Sequence, residues 1–327
     1  MLNHNYFINL SSGYQISSVI FTAIQLDIFT FLEKKSISAK TISCHLKIPN
    51  SSLKRFLDVL IFLNLLLFKN GKYSLTSISS KYLVKNSPFY MGNFIHHRFN
   101  LISDWQNLLV SLNTNKPITF TSKHQKQFSH RLNDYLLAMK DIAKIKSNFI
   151  LKKIDLSKYN SLLELGSGLG EYSIAFNEKY PHLKITLFDL PKVIKKAKKY
   201  ISKKYISLSS INFQSGNCLI DFLGKEKYDV IFVSNLIHIY SEKENQKIIK
   251  KCFTALKKHG IIIIHDFIKE INIYSFLFDL NMLLGTVNGK VYTKEEIKNL
   301  LKKSNFKKIK IDFIDKKSSA IFVGVKE

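Results

Sequence analysis

The sequence predicts an α/β protein in which a doubly wound, mostly parallel sheet forms the C-terminal half. Strand and helix patterns alternate after residue 160, and several strands are almost continuously apolar, as Ile261–Ile264 is. Such strands are buried on both faces, which is typical of parallel sheets. A glycine-rich turn, Gly166–Gly170, separates the first strand from the helix that follows it, and turns of this kind occur in doubly wound folds.

Seven strands are predicted in this half of the chain. Five alternate with helices and are expected to be parallel, whereas the last two form a hairpin that brings an antiparallel strand into the sheet. The predicted strands cover 161–165, 184–189, 210–214, 228–234, 260–266, 308–314 and 319–325. The chain has 327 residues, and single cores rarely grow beyond about 250–300 residues. We therefore expect two domains, 1–152 and 153–327.

The N-terminal domain is predicted to be helical. A helix over 11–35 carries apolar residues on more than one face. Because a solvated surface helix has a single apolar stripe, the additional faces predict a partner surface. We expect that partner to be a second copy of the chain.

Residues 38–82 follow a winged-helix pattern. Ser38 is a suitable helix cap, and Asn70-Gly71 favours a hairpin. The helix between them is expected to begin near Ser51 and to run through Leu66. It is mostly apolar, which favours packing inside a dimer over a place in a DNA groove.

The net charge of +26 raises the question of nucleic-acid binding. Only three of the 50 Lys and Arg residues are arginines, and arginine is the commonest reader of base edges. We therefore expect no specific nucleic-acid partner. A winged-helix DNA-binding regulator without catalytic activity stays open as an alternative.

Several further classes are disfavoured. The longest apolar stretch, 53–68, is interrupted by charged residues and is shorter than the roughly 20 residues of a membrane span. No signal-peptide pattern opens the chain, so we expect a cytoplasmic protein without a membrane partner. Cys44, Cys218 and Cys252 form no C-x-x-C pair, which predicts reduced thiols and no metal site.

The loop after the first predicted strand indicates a nucleotide-type cofactor. Its glycines are Gly166, Gly168 and Gly170. They allow the backbone to approach a ligand closely, and Asp189, 19 residues beyond Gly170, ends the next strand, where a carboxylate can hold ribose hydroxyls. A dinucleotide loop would carry glycine at position 171, which is Glu here. The observed pattern, with Glu164 in the preceding strand, suits S-adenosylmethionine, which has an amino-acid end and no pyrophosphate.

Polar residues follow the predicted strands at their carboxyl ends, where ligands bind in open α/β sheets. They are Asp189, Asn217, Ser234, Asn235, His238 and Asp266. His238 follows the fourth strand and Asp266 ends the fifth, so the fold can bring them together. A neutral imidazole can take a proton from a hydroxyl, and a carboxylate would orient the ring. For His265, within an apolar strand, we expect only a structural role.

Three segments carry a resemblance to a known family. They are Leu163-Glu164-Leu165-Gly166-Ser167-Gly168-Leu169-Gly170, Phe188-Asp189-Leu190-Pro191 and Asn235-Leu236-Ile237-His238-Ile239-Tyr240-Ser241-Glu242. The chain resembles the two-domain O-methyltransferases that include plant caffeic acid and flavonoid enzymes, acetylserotonin methyltransferases and bacterial small-molecule enzymes. The similarity covers nearly the whole chain. It implies a class I methyltransferase sheet preceded by a winged-helix-like dimerisation domain.

The resemblance also implies a function and a homodimer. The cofactor would be S-adenosylmethionine and the substrate a small hydroxylated, aromatic molecule, with His238 as the general base and Asp266 as the carboxylate that orients it. Glu164 and the glycine loop would hold the amino-acid end of the cofactor, Asp189 its ribose and Asn217 its adenine. The remaining expected cofactor-binding residues are Leu190, Cys218, Ser234 and Asn235.

Two positions of the expected site differ from the family pattern. Asn217 stands where the family usually has aspartate, and Val291 occupies the place of a second acid that flanks the histidine in the plant enzymes. Asp266 is therefore expected to orient His238 alone. Relatives with the same fold and cofactor also methylate carbon or carry out other chemistry, and these alternatives stay open at this point.

Overall fold

The computed structural model describes residues 3–118, 125–204, 210–269, 272–315 and 319–327. Within these ranges, no helix is both long enough and apolar enough to cross a membrane. The expected cytoplasmic location stays a prediction.

The chain divides into two compact units. The first comprises Met1–Leu101 and Arg131–Ile142, and the second comprises Ile102–His130 and Ala143–Glu327. The predicted domain boundary at residue 152 stays a prediction.

The first unit combines helices with a small antiparallel sheet. Its helices are α1 (His4–Gln25), α2 (Ile28–Phe31), α3 (Ala39–Leu46), α4 (Asn50–Phe62), α5 (Ser77–Tyr82) and α6 (Gly92–Asn100). Its strands β1 (Ile37–Ser38), β2 (Leu66–Lys69) and β3 (Lys72–Leu75) pair in the order β1-β3-β2. Aliphatic side chains of α2, α3 and α4 form its core. The helical N-terminal domain with a winged pattern is therefore confirmed.

Local backbone geometry explains where the helices of this unit end. The predicted helix over 11–35 is wrong in its bounds, because α1 already begins at His4 and because Asp27, at a left-handed φ of 53°, separates α1 from α2. Helix α4 ends at Phe62 instead of Leu66. Asn64 adopts a φ of 55° there, and a left-handed residue of this kind terminates a helix.

Two other local signals are confirmed. The Ser38 side chain accepts a hydrogen bond from the Thr41 amide at the first turn of α3. Asn70 and Gly71, at φ values of 51° and 74°, form the two-residue turn between β2 and β3. Both central residues have positive φ, which is the geometry of the hairpin turn that Asn-Gly favours.

The second unit contains the large sheet. Its strands are β4 (Ser161–Leu165), β5 (Lys184–Asp189), β6 (Ile211–Ser215), β7 (Tyr228–Ser234), β8 (Leu256–Phe267), β9 (Lys307–Asp315) and β10 (Ser319–Val325). Its helices are α7 (Ile102–Trp105), α8 (Leu108–Thr114), α10 (Glu171–Lys179), α11 (Pro191–Lys204), α12 (Glu242–Ala255), α13 (Ile273–Gly285) and α14 (Lys294–Lys303), while α9 (Gln125–Lys153) contributes residues to both units.

The sheet has the predicted topology. Its strand order is β6-β5-β4-β7-β8-β10-β9. The five strands β6, β5, β4, β7 and β8 pair in parallel, and β10 lies antiparallel to both β8 and β9. Separate apolar clusters cover its two faces. The carboxyl ends of β4, β5, β7 and β8 therefore meet at one edge, with helices packed above and below.

Strand β8 differs from its predicted bounds of 260–266. It begins at Leu256, which pairs with Tyr228, and then shifts register so that Ile261 pairs with Val230. Residues 257–260 form the irregular segment, where His259 has a φ of 62°. Residues 257–260 are Lys-Lys-His-Gly, so no apolar pattern marks the beginning of the strand, and the bulge interrupts its period of two.

Gly260 is the most constrained glycine of this bulge. A Cβ atom there would lie 2.9 Å from the carbonyl oxygens of both Asp229 and Lys257. Because both contacts are with backbone, we expect Gly260→Ala to lower the free energy of unfolding by about 1–3 kcal/mol. Urea unfolding followed by circular dichroism measures this loss. The control is Gly13→Ala on α1, where the new Cβ has nothing within 4 Å. An equal effect of the two substitutions would contradict the prediction.

Candidate active site

The glycine loop connects β4 to α10 at the carboxyl edge of the sheet. Gly166, Gly168 and Gly170 have φ values of 74°, 55° and 84°, a region that favours glycine. The Gly166 amide donates to the Phe188 carbonyl at 2.9 Å, and the Gly168 amide donates to Asp189 Oδ2 at 2.9 Å. The end of β5 therefore fixes the path of the loop.

Asp189 stands between the loop and the helix that follows β5. Its Oδ1 accepts the Leu190 amide at 2.7 Å, so that both oxygens hold backbone groups. Burial raises the pKa of Asp189, and the two amide hydrogen bonds oppose that shift because they stabilise the carboxylate. The side chain of Leu190 is 51% exposed. The remaining oxygen lone pairs of Asp189 can still accept from a ligand hydroxyl.

Glu164 is buried one residue before the end of β4. Its Oε2 accepts from the amide of Ser173 at 3.1 Å and also from the hydroxyl of Ser173, in the first turn of α10. Burial raises the pKa of Glu164 to about 8, although both hydrogen bonds to Ser173 act in the opposite direction. Glu164 therefore ties β4 to α10, and its contact with a cofactor stays a prediction.

Asn217 and Cys218 follow β6 at the same edge. The Asn217 Oδ1 accepts the Leu219 amide at 2.9 Å, and the Asn217 amide donates to Asp221 Oδ2 at 2.7 Å. Cys218 is buried and lies 3.4 Å from the hydroxyl of Tyr240, measured from its Sγ. Burial raises the pKa of the Cys218 thiol, which keeps it protonated and unreactive at neutral pH.

His238 and Asp266 are brought together as the strand order suggests. His238 Nδ1 lies 2.6 Å from Asp266 Oδ1, and both side chains are buried. Asp266 Oδ1 also accepts the Phe267 amide at 2.8 Å. The Phe267 amide thus fixes the Asp266 carboxylate, and the carboxylate in turn orients the His238 imidazole.

Two aromatic rings that the sequence analysis did not single out pack beside His238. The Phe278 ring lies edge-on at 4.9 Å from the imidazole, and the Phe267 ring lies at 6.3 Å, centroid to centroid. The two phenyl rings are 4.2 Å apart. Phe267 directly follows Asp266 and could have been found from that position, whereas the approach of Phe278 on α13 depends on tertiary packing alone.

The segment that carries His238 is held by residues of α12 and of the loop after α13. Asn245 Nδ2 donates to the carbonyls of Ile237 at 2.7 Å and Tyr240 at 3.1 Å, and the Tyr292 hydroxyl donates to the Tyr240 carbonyl at 2.6 Å. A Cβ atom at Gly289 would lie 2.4 Å from the His238 carbonyl oxygen. Asn245, Gly289 and Tyr292 position the turn, and nothing in the sequence indicated that role for them.

Ser234 and Asn235 end β7 beside the histidine segment. The Asn235 amide donates to the His265 carbonyl at 2.9 Å, and Asn235 has a φ of 51°. Ser234 Oγ lies 2.8 Å from His265 Nδ1. Val291, in contrast, is buried and donates its amide to Asp279 Oδ1 at 2.8 Å, so it supplies no polar side chain.

Several buried polar atoms at this edge have no hydrogen-bond partner within the ranges that the structure describes, and they indicate which kind of cofactor would fit. Ser167 Oγ, Asn235 Oδ1 and Asp266 Oδ2 are buried and have no hydrogen-bond partner in the described part of the chain. Buried polar groups normally have one. Together with a loop in which three of the five residues are glycine, they suit a ligand that carries hydroxyl, ammonium and carboxylate groups, as S-adenosylmethionine does. In the same part of the chain, no three His, Cys, Asp or Glu residues are grouped to hold a metal ion.

Comparison with known proteins places the chain in a family. Residues 117–307 match the O-methyltransferase domain, and residues 8–85 match the O-methyltransferase dimerisation domain. A 3-hydroxy-5-methyl-1-naphthoate 3-O-methyltransferase from Streptomyces sahachiroi is 23% identical over 97% of this chain and 94% of its own length. The acetylserotonin O-methyltransferase of Gallus gallus is 25% identical over 92% of this chain and 91% of its own.

The fold agrees with these matches. The crystal structure of human N-acetylserotonin methyltransferase in complex with S-adenosylmethionine superposes with a TM-score of 0.88 at 21% identity, over 99% of this chain and 98% of that one. The sheet and its loops define a class I methyltransferase. The chain belongs to the O-methyltransferase family and is an S-adenosylmethionine-dependent enzyme, as the motifs predicted.

The raised pKa of Glu164 generates a prediction about stability. The folded state keeps the proton to about pH 8, whereas the unfolded chain loses it near the ordinary value of 4.5. The unfolded state is thus favoured progressively as the pH rises between these values. We expect the free energy of unfolding of Glu164→Gln to exceed that of wild type by a margin that grows across this interval and reaches roughly 1–4 kcal/mol.

Urea unfolding of both proteins at several pH values measures this difference. Glu178→Gln removes an exposed carboxylate from α10, the helix to which Glu164 is hydrogen-bonded, and is the matched control. A difference between Glu164→Gln and wild type that does not change with pH would show that the burial of Glu164 carries no such cost.

Proposed function

We propose that this enzyme methylates a hydroxyl group of a small aromatic molecule, with His238 as the general base. The hydrogen bond of 2.6 Å between His238 Nδ1 and Asp266 Oδ1 is the observation that carries the proposal. It joins a buried imidazole to a buried carboxylate at the edge of the sheet where ligands bind in open α/β folds.

The pairing decides which nitrogen acts as the base. A carboxylate accepts only, so the proton of a neutral His238 lies on Nδ1 and the lone pair lies on Nε2. Nε2 would then take the proton of the substrate hydroxyl while the oxygen bonds to the transferred methyl carbon, whose bond to the sulfonium sulfur breaks and leaves a neutral thioether. The resulting imidazolium is stabilised by Asp266, whose Oδ1 is held by the Phe267 amide. A phenol has a pKa near about 10, so a positioned base assists at neutral pH.

The aromatic rings beside His238 support an aromatic substrate. Phe278 and Phe267 form a continuous apolar wall next to the imidazole. Aromatic rings pack edge-to-face or offset with a gain of about 0.5–1.5 kcal/mol beyond the area that they bury. A flat ring on this wall would have its hydroxyl close to the imidazole, and an aliphatic alcohol would gain less from the same contact.

The cofactor would be held by groups at the carboxyl edge. Asp189 would accept from the ribose hydroxyls, the glycine loop and Glu164 would lie at the amino-acid end, and Asn217 would lie near the adenine. Leu190, Cys218, Ser234 and Asn235 would line the same site. S-adenosylmethionine supplies a methyl group on a sulfonium sulfur, which a correctly aligned oxygen can accept in a single displacement.

Methyl transfer to a panel of phenols, with the product identified by mass spectrometry and NMR, tests the proposed function. We expect a methyl ether on at least one phenol and no reaction with the matched aliphatic alcohols. A methyl group on carbon, or turnover of the aliphatic alcohols alone, would contradict the proposal.

The roles of His238 and Asp266 can be tested separately. His238→Ala is expected to lower single-turnover methyl transfer by roughly 10²–10⁴-fold, with cofactor affinity nearly unchanged. Asp266→Asn should also lower the rate, because the ring loses the acceptor that fixes its tautomer. His182→Ala, which removes an exposed histidine of the same unit, is the control. Equal rates for wild type and His238→Ala would show that another group takes the proton.

We further propose that the enzyme is an obligate homodimer through its N-terminal domain. Large apolar side chains are exposed along α1 and include Tyr6, Phe7, Ile8, Leu10, Tyr14 and Ile16. Exposed apolar patches of this kind mark interfaces in soluble proteins. The match of residues 8–85 to a dimerisation domain covers most of the same helix.

Charged substitutions on α1 test the dimer. Light scattering should show a dimer for wild type at micromolar concentration and a monomer or aggregate for the double variant Phe7→Asp/Leu10→Asp. Lys40→Asp, at an exposed position of α3, is the control for a changed charge. A wild-type protein that is monomeric, folded and active would disprove the obligate dimer.

A further inference from the structure

A line of hydrogen-bonded polar side chains runs through the apolar interior of the second unit. Lys146 Nζ donates to Ser319 Oγ at 3.2 Å, Ser319 Oγ lies 3.2 Å from His265 Nε2, and His265 Nδ1 lies 2.8 Å from Ser234 Oγ. The groups come from α9, β10, β8 and β7. The line thus crosses three neighbouring strands and ends at the edge that carries the cofactor site.

These groups are withdrawn from solvent. His265 and Ser319 are 0% exposed, Ser234 is 8% exposed and Lys146 is 9% exposed. An apolar residue at position 265 would continue the isoleucine run of β8, and burying a polar group costs free energy unless it is hydrogen-bonded. The sequence supported only a structural role for His265, but both ring nitrogens point to partners, and one partner belongs to the predicted cofactor site.

Asn235 connects this line to the site. Its backbone amide donates to the His265 carbonyl at 2.9 Å, and its Nδ2 donates to Ser234 Oγ at 3.3 Å. Its Oδ1 is buried and has no partner among the described residues. The left-handed φ of 51° is uncommon outside glycine but is tolerated by asparagine. The contacts to His265 and Ser234 therefore hold Asn235 in a conformation that leaves one polar atom for a ligand.

The contacts are satisfied when hydrogens are donated along the line in one direction. An ammonium group can only donate, so Ser319 Oγ accepts from Lys146 and can pass its own hydrogen to His265 Nε2. Burial, and the nearby charge of Lys146, lower the pKa of His265 well below its ordinary value, which keeps the ring neutral. With Nε2 accepting, the single ring proton lies on Nδ1 and is donated to Ser234 Oγ. The hydroxyl hydrogen of Ser234 is then free to be donated onward.

We infer that His265 is a positioning residue for the cofactor, held in its Nδ1–H form so that the Ser234 hydroxyl and the Asn235 carboxamide are presented together to polar groups of S-adenosylmethionine. The inference rests on the proposed function in one respect, namely that Ser234 and Asn235 line the cofactor site. Ser234 supplies a donor and Asn235 Oδ1 supplies an acceptor. Lys146 Nζ also lies 4.9 Å from the centroid of the Phe267 ring. The line of polar side chains therefore begins beside the apolar wall that Phe267 and Phe278 form.

Binding of S-adenosylhomocysteine, measured by calorimetry on the full-length protein, tests this role without turnover. His265→Phe keeps an aromatic ring against Tyr172, whose centroid lies 6.2 Å away, and removes both hydrogen bonds. We expect the dissociation constant to rise about tenfold in this variant. His265→Gln retains a donor and an acceptor and should recover the affinity to within about threefold of wild type. Ser304→Ala, another buried and hydrogen-bonded serine of the unit, should leave the affinity unchanged.

The protonated nitrogen can be observed directly. In protein labelled with ¹⁵N-histidine, the two ring nitrogen shifts of His265, assigned by their loss in His265→Gln, should be those of the Nδ1–H form. Ser319→Ala removes the partner of Nε2 and should shift that resonance, with a smaller loss of affinity than His265→Phe. This measurement decides the matter if His265→Phe does not fold.

The outcomes separate the inference from the proposed function. An Nε2–H ring or an imidazolium would overturn the inference, and so would wild-type affinity in His265→Phe. Asp189→Ala serves as the reference for loss of a direct cofactor contact. If Asp189→Ala weakens binding and His265→Phe does not, only the positioning role fails. If neither weakens binding, the proposed cofactor site is itself wrong.

Discussion

Backbone hydrogen bonds beyond the strand ends hold together the carboxyl edge of the large sheet, where the candidate active site lies. The residue after each of three strands donates its amide to the end of a neighbouring strand, in the pairs Gly166 to Phe188, Gly216 to Asp189 and Asn235 to His265, each at 2.9 Å. These bonds extend the parallel pairing by one residue beyond the strands. The glycine loop, the Asp189 carboxylate and the histidine segment are therefore tied to the same set of strand ends.

Several polar and charged side chains, which are rare in protein interiors, are buried at the same edge. Glu164, His238, His265 and Asp266 are all buried, and each has a hydrogen-bonding partner drawn from another element or from the backbone. Such arrangements oppose folding unless the partners are fixed, and here the apolar clusters on both sheet faces fix them. The free energy gained by packing the core thus compensates for burying polar atoms that are available to bind a ligand.

Much of the fold was predictable from local patterns. Strands β4, β5, β7 and β10 have the predicted bounds, because each is a short, mostly apolar segment flanked by glycine or polar residues. The errors fall where the backbone leaves regular geometry. Asn64 ends α4 early through a left-handed φ, and the bulge near His259 conceals the beginning of β8. Both features are local backbone conformations, which the spacing of apolar residues does not record.

Residue type and position at strand ends were enough to predict the sheet, the glycine loop between β4 and α10, and the pairing of His238 with Asp266, because His238 follows β7 and Asp266 lies at the end of the neighbouring strand β8. What surrounds that pair depends on tertiary packing. Phe278, Asn245, Tyr292 and Gly289 approach the histidine segment from α12, α13 and the loop beyond it, and Ser319 meets His265 across the β8–β10 pairing. These contacts join residues distant in the chain. Their partners are chosen by strand register and helix packing, which no local sequence pattern records.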